Sequence, residues 1–205
     1  MFSRTLVLAL LGVASTLASK CHFPEPQLGF SRESYSGVWY EVAKFQTAGG
    51  AYFESNCICT QLNVTAPSSD AYQADNLCRD KTIDGKQISA VGKLFGETQE
   101  HPGRFKESFF PLAPSVDYTI LFLGNFTNDA GEVEEYSVEY DCGDTFLTGY
   151  NYCVHFLSRK ATMSQQLLNK LIADVNLLNL NDENLPLQMT KQEGCWDKKD
   201  IQEIQ

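Results

Sequence analysis

The sequence predicts an all-β fold of eight short antiparallel strands followed by one amphipathic helix. Between residues 37 and 158, aromatic and β-branched runs alternate with clusters of turn residues, and no helical period intervenes. After residue 158 the period switches once, to the spacing of a helix. Seven cysteines behind an apolar leader set the compartment.

The leader is residues 1–18. Arg4 supplies its positive end, Leu6–Ala14 its apolar stretch, and Thr16 and Ala18 the small residues that suit cleavage after Ala18. That stretch is well short of the roughly 20 residues that cross a bilayer, and no longer one follows. Residues 19–205 have the length of a single domain. The full chain carries a net charge of −10, and loss of Arg4 makes it more acidic, which excludes nucleic acid as a partner. A hydrophobic content of 43% is enough for a packed core and excludes disorder.

The eight expected strands are Gly37–Phe45, Asn56–Val64, Tyr72–Arg79, Gln87–Phe95, Phe105–Phe110, Tyr118–Leu123, Glu135–Tyr140 and Tyr150–Ser158. Pro67-Ser68-Ser69-Asp70, Asp84-Gly85, His101-Pro102-Gly103 and Asn128-Asp129-Ala130-Gly131 mark turns between them. Strands in such succession without crossover helices form a meander, as a sandwich or a barrel. The helix is expected over about 162–178, with Thr162 as its cap and Leu167, Leu168, Leu171, Ile172, Val175 and Leu178 as its apolar stripe. Apolar residues of both parities in Tyr150–Ser158 suggest a strand buried on both faces, the natural surface for that stripe. The tail after Asn181 shows no periodic element, yet it holds Cys195.

Behind a leader, Cys21, Cys57, Cys59, Cys78, Cys142, Cys153 and Cys195 read as disulfide partners. Seven is odd, so at least one thiol is free or bonds another chain. No metal site is expected, because Cys57-Ile58-Cys59 lacks a second ligand pair to complete a tetrahedron. Cys59 and Cys78 are equidistant from the centre of the Pro67–Asp70 turn, which predicts a Cys59–Cys78 bond across a regular hairpin. Asn63-Val64-Thr65 and Asn125-Phe126-Thr127 are glycosylation sequons, usable in the same compartment.

Several motifs in order resemble the lipocalin family, in particular its apolipoprotein D and bilin-binding branch. Gly37-Val38-Trp39 matches the family's Gly-x-Trp motif on the first strand, and Arg159 matches the arginine that packs over that tryptophan. Cys21-His22-Phe23-Pro24 and Pro114–Leu121 resemble two further segments of apolipoprotein D. The family's Thr-Asp-Tyr motif is replaced by Leu123-Gly124-Asn125-Phe126, expected as a loop at the closed end. The resemblance implies an eight-stranded antiparallel up-and-down β-barrel with one C-terminal α-helix packed on the outside. It also implies Cys21–Cys142 and Cys57–Cys195 bonds, which leaves Cys153 as the free thiol. Trp39 and Arg159 are then structural, closing the barrel floor.

With Trp39 inward, strand alternation points Ala43 and Phe45 into the barrel, and Ile58, Thr60 and Leu62 follow on the second strand. Matching the family's ligand-facing positions places Phe105, Phe109, Tyr118, Ile120 and Phe122 inward, with His155 and Leu157 on the eighth strand. The loop Gln46–Ser55 reads as a mouth flap, with Tyr52 and Phe53 closing over ligand. A mostly apolar lining of this kind suits a hydrophobic ligand, oriented by His155 and Tyr118.

The resulting expectation is a secreted, non-enzymatic carrier of a small hydrophobic ligand, with a carotenoid, bilin, retinoid, sterol or fatty acid as the classes the resemblance implies. No catalytic residue or cofactor is expected beyond such a bound chromophore or lipid, and the sequence assigns neither a homo-oligomer nor a receptor. Two rivals stand beside it. One is an isomerase-type enzyme using Cys153, which would need a lowered thiol pKa from a neighbour such as His155. The other is a protein-interaction module working through the open-end loops.

Overall fold

A computed structural model describes residues 21–47, 54–68, 71–110, 114–145 and 149–196. The expected leader, the expected flap residues Tyr52 and Phe53, and the end of the tail lie outside these. Eight strands follow the expected order: β1 (Gly37–Gln46), β2 (Cys57–Ser68), β3 (Ala71–Asp80), β4 (Gln87–Phe95), β5 (Arg104–Ser108), β6 (Val116–Thr127), β7 (Val133–Thr145) and β8 (Gly149–Ser158). Each pairs antiparallel with the next, and β1 pairs with both β2 and β8, which closes the sheet into a barrel without free edges. The segment Leu123–Phe126, expected as a loop, continues β6 instead, paired with Ser137–Glu134 of β7. The long hairpin has enough cross-strand partners to carry pairing through it.

Two elements were not read from the sequence. A one-turn helix α1 (Arg32–Tyr35), capped by the Ser31 hydroxyl, leads into β1. In the tail, β9 (Gln188–Met189) pairs with Ala43 and Lys44 of β1. It fills the gap where β1 leaves β2 after Tyr40. The Gln192 side-chain amide then donates to the Glu41 and Thr60 carbonyls, 2.8 and 2.7 Å away, bridging the two parting strands. Two residues of strand are too short for any periodic signal.

Helix α2 (Gln165–Leu177) covers one wall. Ser164 caps it by accepting from the Leu167 amide, and Thr162 lies outside the helix. The Ser158 hydroxyl donates to the Thr162 carbonyl, so that stretch finishes the β8 turn before the helix begins. Leu167, Leu168, Leu171 and Val175 are buried against Val138, Tyr140, Val154 and Phe156 of β7 and β8. Leu178 is exposed at the C-terminal cap. Inside the barrel a second apolar cluster fills the closed end with Tyr35, Trp39, Tyr72, Leu94, Phe105 and Ile120.

At the floor, the Arg159 guanidinium lies 3.5 Å from the centre of the Trp39 ring. The guanidinium also donates to the Val38, Ser34 and Ser36 carbonyls, and the Trp39 indole donates to Tyr35. Gly37 has φ +97°, and a Cβ there would sit 3.3 Å from the guanidinium, so the motif needs glycine for backbone conformation and for space.

The disulfides are Cys21–Cys142, Cys57–Cys78 and Cys59–Cys195, with Cys153 free and buried. The first agrees with expectation; the expected Cys57–Cys195 and Cys59–Cys78 bonds are exchanged. A bulge between Ile58 and Gln61 is the reason. Cys59 sits in it with φ +56°, and its amide donates to the Lys191 carbonyl of the tail. The bulge turns Cys59 away from β3 and towards Cys195, and Cys78 bonds Cys57 instead. Replacing both Cys59 and Cys195 by serine is therefore expected to cost about 2–4 kcal/mol in denaturant unfolding. The same variant should open the tail from Gln188 onward to proteolysis, with the barrel intact.

Candidate functional site

Above the aromatic layer the barrel encloses a cavity of about 90 Å³. Of the residues expected to face ligand, Thr60, Leu62, Phe109, Tyr118, His155 and Leu157 line it. Phe105 and Ile120 lie lower, in the packed interior cluster. Ile58, next to the β2 bulge, is half-buried and not in the cavity wall.

Ala43, Phe45 and Phe122 face the other way. Bulges between Glu41 and Ala43 in β1, and between Ile120 and Phe122 in β6, each add a residue and reverse the alternation. Ala43, Phe45, Leu121 and Phe122 consequently pack in the cluster beneath α2, where Phe45 meets Phe156 edge-on. Beyond the β1 bulge the inward residue is Lys44, which is buried, as is Glu41 before it.

Most of the exposed wall is apolar, as expected, but it also carries acidic groups that the sequence reading did not place there. Glu41, Glu54, Glu107, Glu139 and Asp141 all border the cavity. The signal was present in β7: Ser137-Val138-Glu139-Tyr140-Asp141-Cys142 alternates strictly. Its apolar members belong to the cluster under α2, which leaves Glu139 and Asp141 pointing into the barrel. Glu107 arrives from β5, and its carboxylate lies across Gly92 of β4, where a Cβ would come within 2.1 Å of Oε1.

These groups form a graded network. Glu41 accepts from Thr190 at 2.5 Å, lies 3.3 Å from the Lys44 ammonium, and meets His155 Nδ1 at 2.6 Å. Burial pushes its carboxyl up, but Lys44 and the His155 and Thr190 hydrogen bonds outweigh that and hold it at about 2. The other ring nitrogen of His155 is 3.1 Å from Asp141. Burial alone would lower the histidine, yet its pKa is raised. Since the adjacent Cys153 thiol is neutral, the two carboxylates are what hold its proton.

Tyr118 donates to Glu139 and its hydroxyl is 3.0 Å from that of Tyr35. Burial raises Tyr118 and Glu139 alike. Glu54 is pushed up to about 7 by burial, which the nearby cations only partly oppose. Burial likewise raises Glu107, helped by Asp141 and Glu54.

Cys153 lies 3.8 Å from His155 Nδ1, so the two side chains do meet. The thiol is nonetheless pushed up to about 12, chiefly by burial. That is the opposite of what a nucleophile requires. Glu41, Glu54 and His155 could bring three donor atoms within 4.8 Å of one another, as could Asp141, Cys153 and His155. Both histidine nitrogens are already engaged by carboxylates, however, and Lys44 stands beside Glu41, an environment hostile to a metal ion.

No family model and no curated protein matches the chain. Among solved structures, it is similar to lobster apocrustacyanin A1 at 19% identity and TM-score 0.57, over 80% of this chain and 81% of that one. Apocrustacyanin C1 matches at 20% and 0.58, over 84% and 85%. Insecticyanin from the tobacco hornworm Manduca sexta matches at 15% and 0.58, over 88% of each. These are lipocalins. The chain has the lipocalin fold. At this identity the likeness concerns the barrel and its external helix, and the acidic interior is read from this chain alone.

Two measurements check the site. Cys153 should resist alkylation in the native protein and react fully after unfolding in denaturant. Glu54 has a folded pKa of about 7 against an ordinary 4.5, so the stability it confers is present below about pH 4.5 and lost as pH rises through 7. Glu54→Gln keeps the uncharged shape, so it should unfold with wild-type stability in acid and be more stable by roughly 2–3 kcal/mol above pH 7.

Proposed function

We propose that the protein is a secreted, non-catalytic carrier that holds one small ligand in the upper half of its barrel. The observation that carries this reading is the cavity inside the barrel, walled by Leu62, Phe109, Val116 and Leu157, on which polar groups of seven strands converge. The lipocalin neighbours support a barrel carrier. Three disulfides and the leader support residues 19–205 as one extracellular domain released from a signal peptide at 1–18. Among the described residues no helix is long and apolar enough to cross a membrane. Glycans are proposed at Asn63 and at Asn125, whose side chain is exposed. The first cysteine bonding the end of β7, together with the Gly-x-Trp floor, favours the apolipoprotein D and bilin-binding branch.

Size narrows the ligand. About 90 Å³ is well below the roughly 300 Å³ at which ordinary small-molecule pockets begin. The aromatic layer of Tyr35, Tyr72 and Phe105 fills the space beneath. A long polyene, sterol or fatty acid would have to displace that layer, so a compact ligand with an apolar body fits best. The pigment reading is tested by the ultraviolet–visible spectrum of protein from its natural secretion, followed by solvent extraction and mass spectrometry. A compact extracted molecule is expected; a visible band leaving with the extract would restore the pigment. With that molecule as probe, Phe109→Ala should weaken binding at least about tenfold, because its ring is part of the apolar wall. Phe110→Ala, exposed beside it, should leave binding unchanged.

A further inference from the structure

We infer that the cavity takes a small organic cation, a protonated amine on a compact apolar body, with Glu107 as its principal partner and Glu54 as its second. This deepens the carrier reading and rests on it. The inference starts from an imbalance: five carboxylates border the cavity, and two cations, Lys44 and His155, answer them. Both cations are already engaged. Lys44 stands 3.3 Å from Glu41 and 4.0 Å from Glu54, and its ammonium donates to the Glu54 carbonyl. His155 is held between Glu41 and Asp141. Glu139 has the Tyr118 and Ser137 hydroxyls.

Two carboxylates are left over. Glu107 is 5% exposed, borders the cavity, and makes no side-chain hydrogen bond or ion pair among the described residues. Glu54 is 4% exposed and its Oε2 has no hydrogen-bond partner. The Thr60 hydroxyl, 4% exposed and on the same cavity, is likewise without a partner. Buried polar groups left without partners are costly, and each of these three can accept a hydrogen bond from an occupant of the same cavity. An occupant that donates hydrogen bonds and carries positive charge satisfies all of them. An anion would meet the carboxylates with no free cation to receive it, and a neutral apolar molecule would leave the acceptors unsatisfied. Leu62, Phe109, Val116 and Leu157 supply the surface for the apolar part, and the Phe109 and Tyr118 rings are aromatic faces that also favour a cation.

Burial raises the Glu107 carboxyl, and an ammonium seated beside it favours the ionised form, so binding of a cation is expected to release protons. This gives a signature that a neutral ligand lacks. The test is calorimetric titration of the full secreted protein at neutral pH with benzylamine and with benzyl alcohol, equal in size and different in charge. Benzylamine is expected to bind at least about tenfold more tightly, with a heat that depends on the buffer because a proton is released. Glu107→Gln should cut the affinity for benzylamine about tenfold or more and leave benzyl alcohol unchanged; Glu54→Gln should act in the same direction and serves if the first variant does not fold. Equal binding of the two probes, or a Glu107→Gln protein that binds benzylamine as well as the parent, overturns the inference and leaves the carrier standing. Binding of retinol or oleate with neither benzyl probe bound does the same. Silence from all four probes removes the carrier reading itself, and the inference with it.

Discussion

The apolar stripe of α2 needs a surface, and the wall it takes decides what the inside of the barrel is made of. In a closed barrel each strand has one inward and one outward face, so apolar residues spent on the outside are not available within. On β7 and β8 the outer face beneath α2 takes Val138, Tyr140, Cys142, Val154 and Phe156. The inner face at the same level is left to Glu139, Asp141 and His155. The bulges in β1 and β6 extend the arrangement. They turn Ala43, Phe45 and Phe122 outward to the helix, beside Leu121, and bring Lys44 inward. The charged upper cavity is thus a consequence of where the helix docks.

Such an interior is stable only if most of its charge is matched or absent. An isolated buried carboxylate is expensive, and pairing offsets the cost when geometry is good. The barrel uses both remedies. Glu41 is matched, by Lys44, His155 and Thr190, and stays ionised. Glu54 and Glu107 have no such set of partners, and their carboxyls hold protons far more firmly than usual. The difference follows from strand position. Glu41 faces β8 and the tail, which bring a histidine and a threonine to it, whereas Glu107 lies over Gly92, which brings nothing. A carboxyl group whose pKa burial has raised is one whose ionisation a bound cation would favour.

How far this was legible in the sequence depends on the distance over which each signal acts. Strand order, the helix and the Trp39–Arg159 floor are written in local runs and one motif, and they were readable. The disulfide exchange was not, because it turns on a single residue: Cys59 adopts φ +56°, and a hairpin drawn without that bulge puts it opposite Cys78. The lining failed for the same reason in β1 and β6, where one inserted residue inverts everything beyond it. The acidic wall of β7 was readable in its alternation, but only once the apolar face had been assigned to the helix rather than to the cavity. Glu54 and Glu107 carry no periodic mark, and nothing short of three dimensions places them together.

The two halves of the barrel divide the work of specificity. Below Tyr118, Trp39, Tyr35, Tyr72 and Phe105 pack into a solid base, which limits how far any ligand can penetrate. Tyr118 joins the halves, its hydroxyl touching Tyr35 beneath and Glu139 above. A ligand stopped at this level can bury little apolar surface in a cavity of about 90 Å³. Area alone then gives weak binding and weak discrimination, since a methylene or two changes affinity by only about 1–3 kcal/mol. A buried acceptor without a partner discriminates far more sharply, because the wrong ligand leaves it unsatisfied. The solid base therefore shifts the burden of recognition from length and area, which a deep apolar cup would read, to the charge and hydrogen-bonding character of the ligand's head.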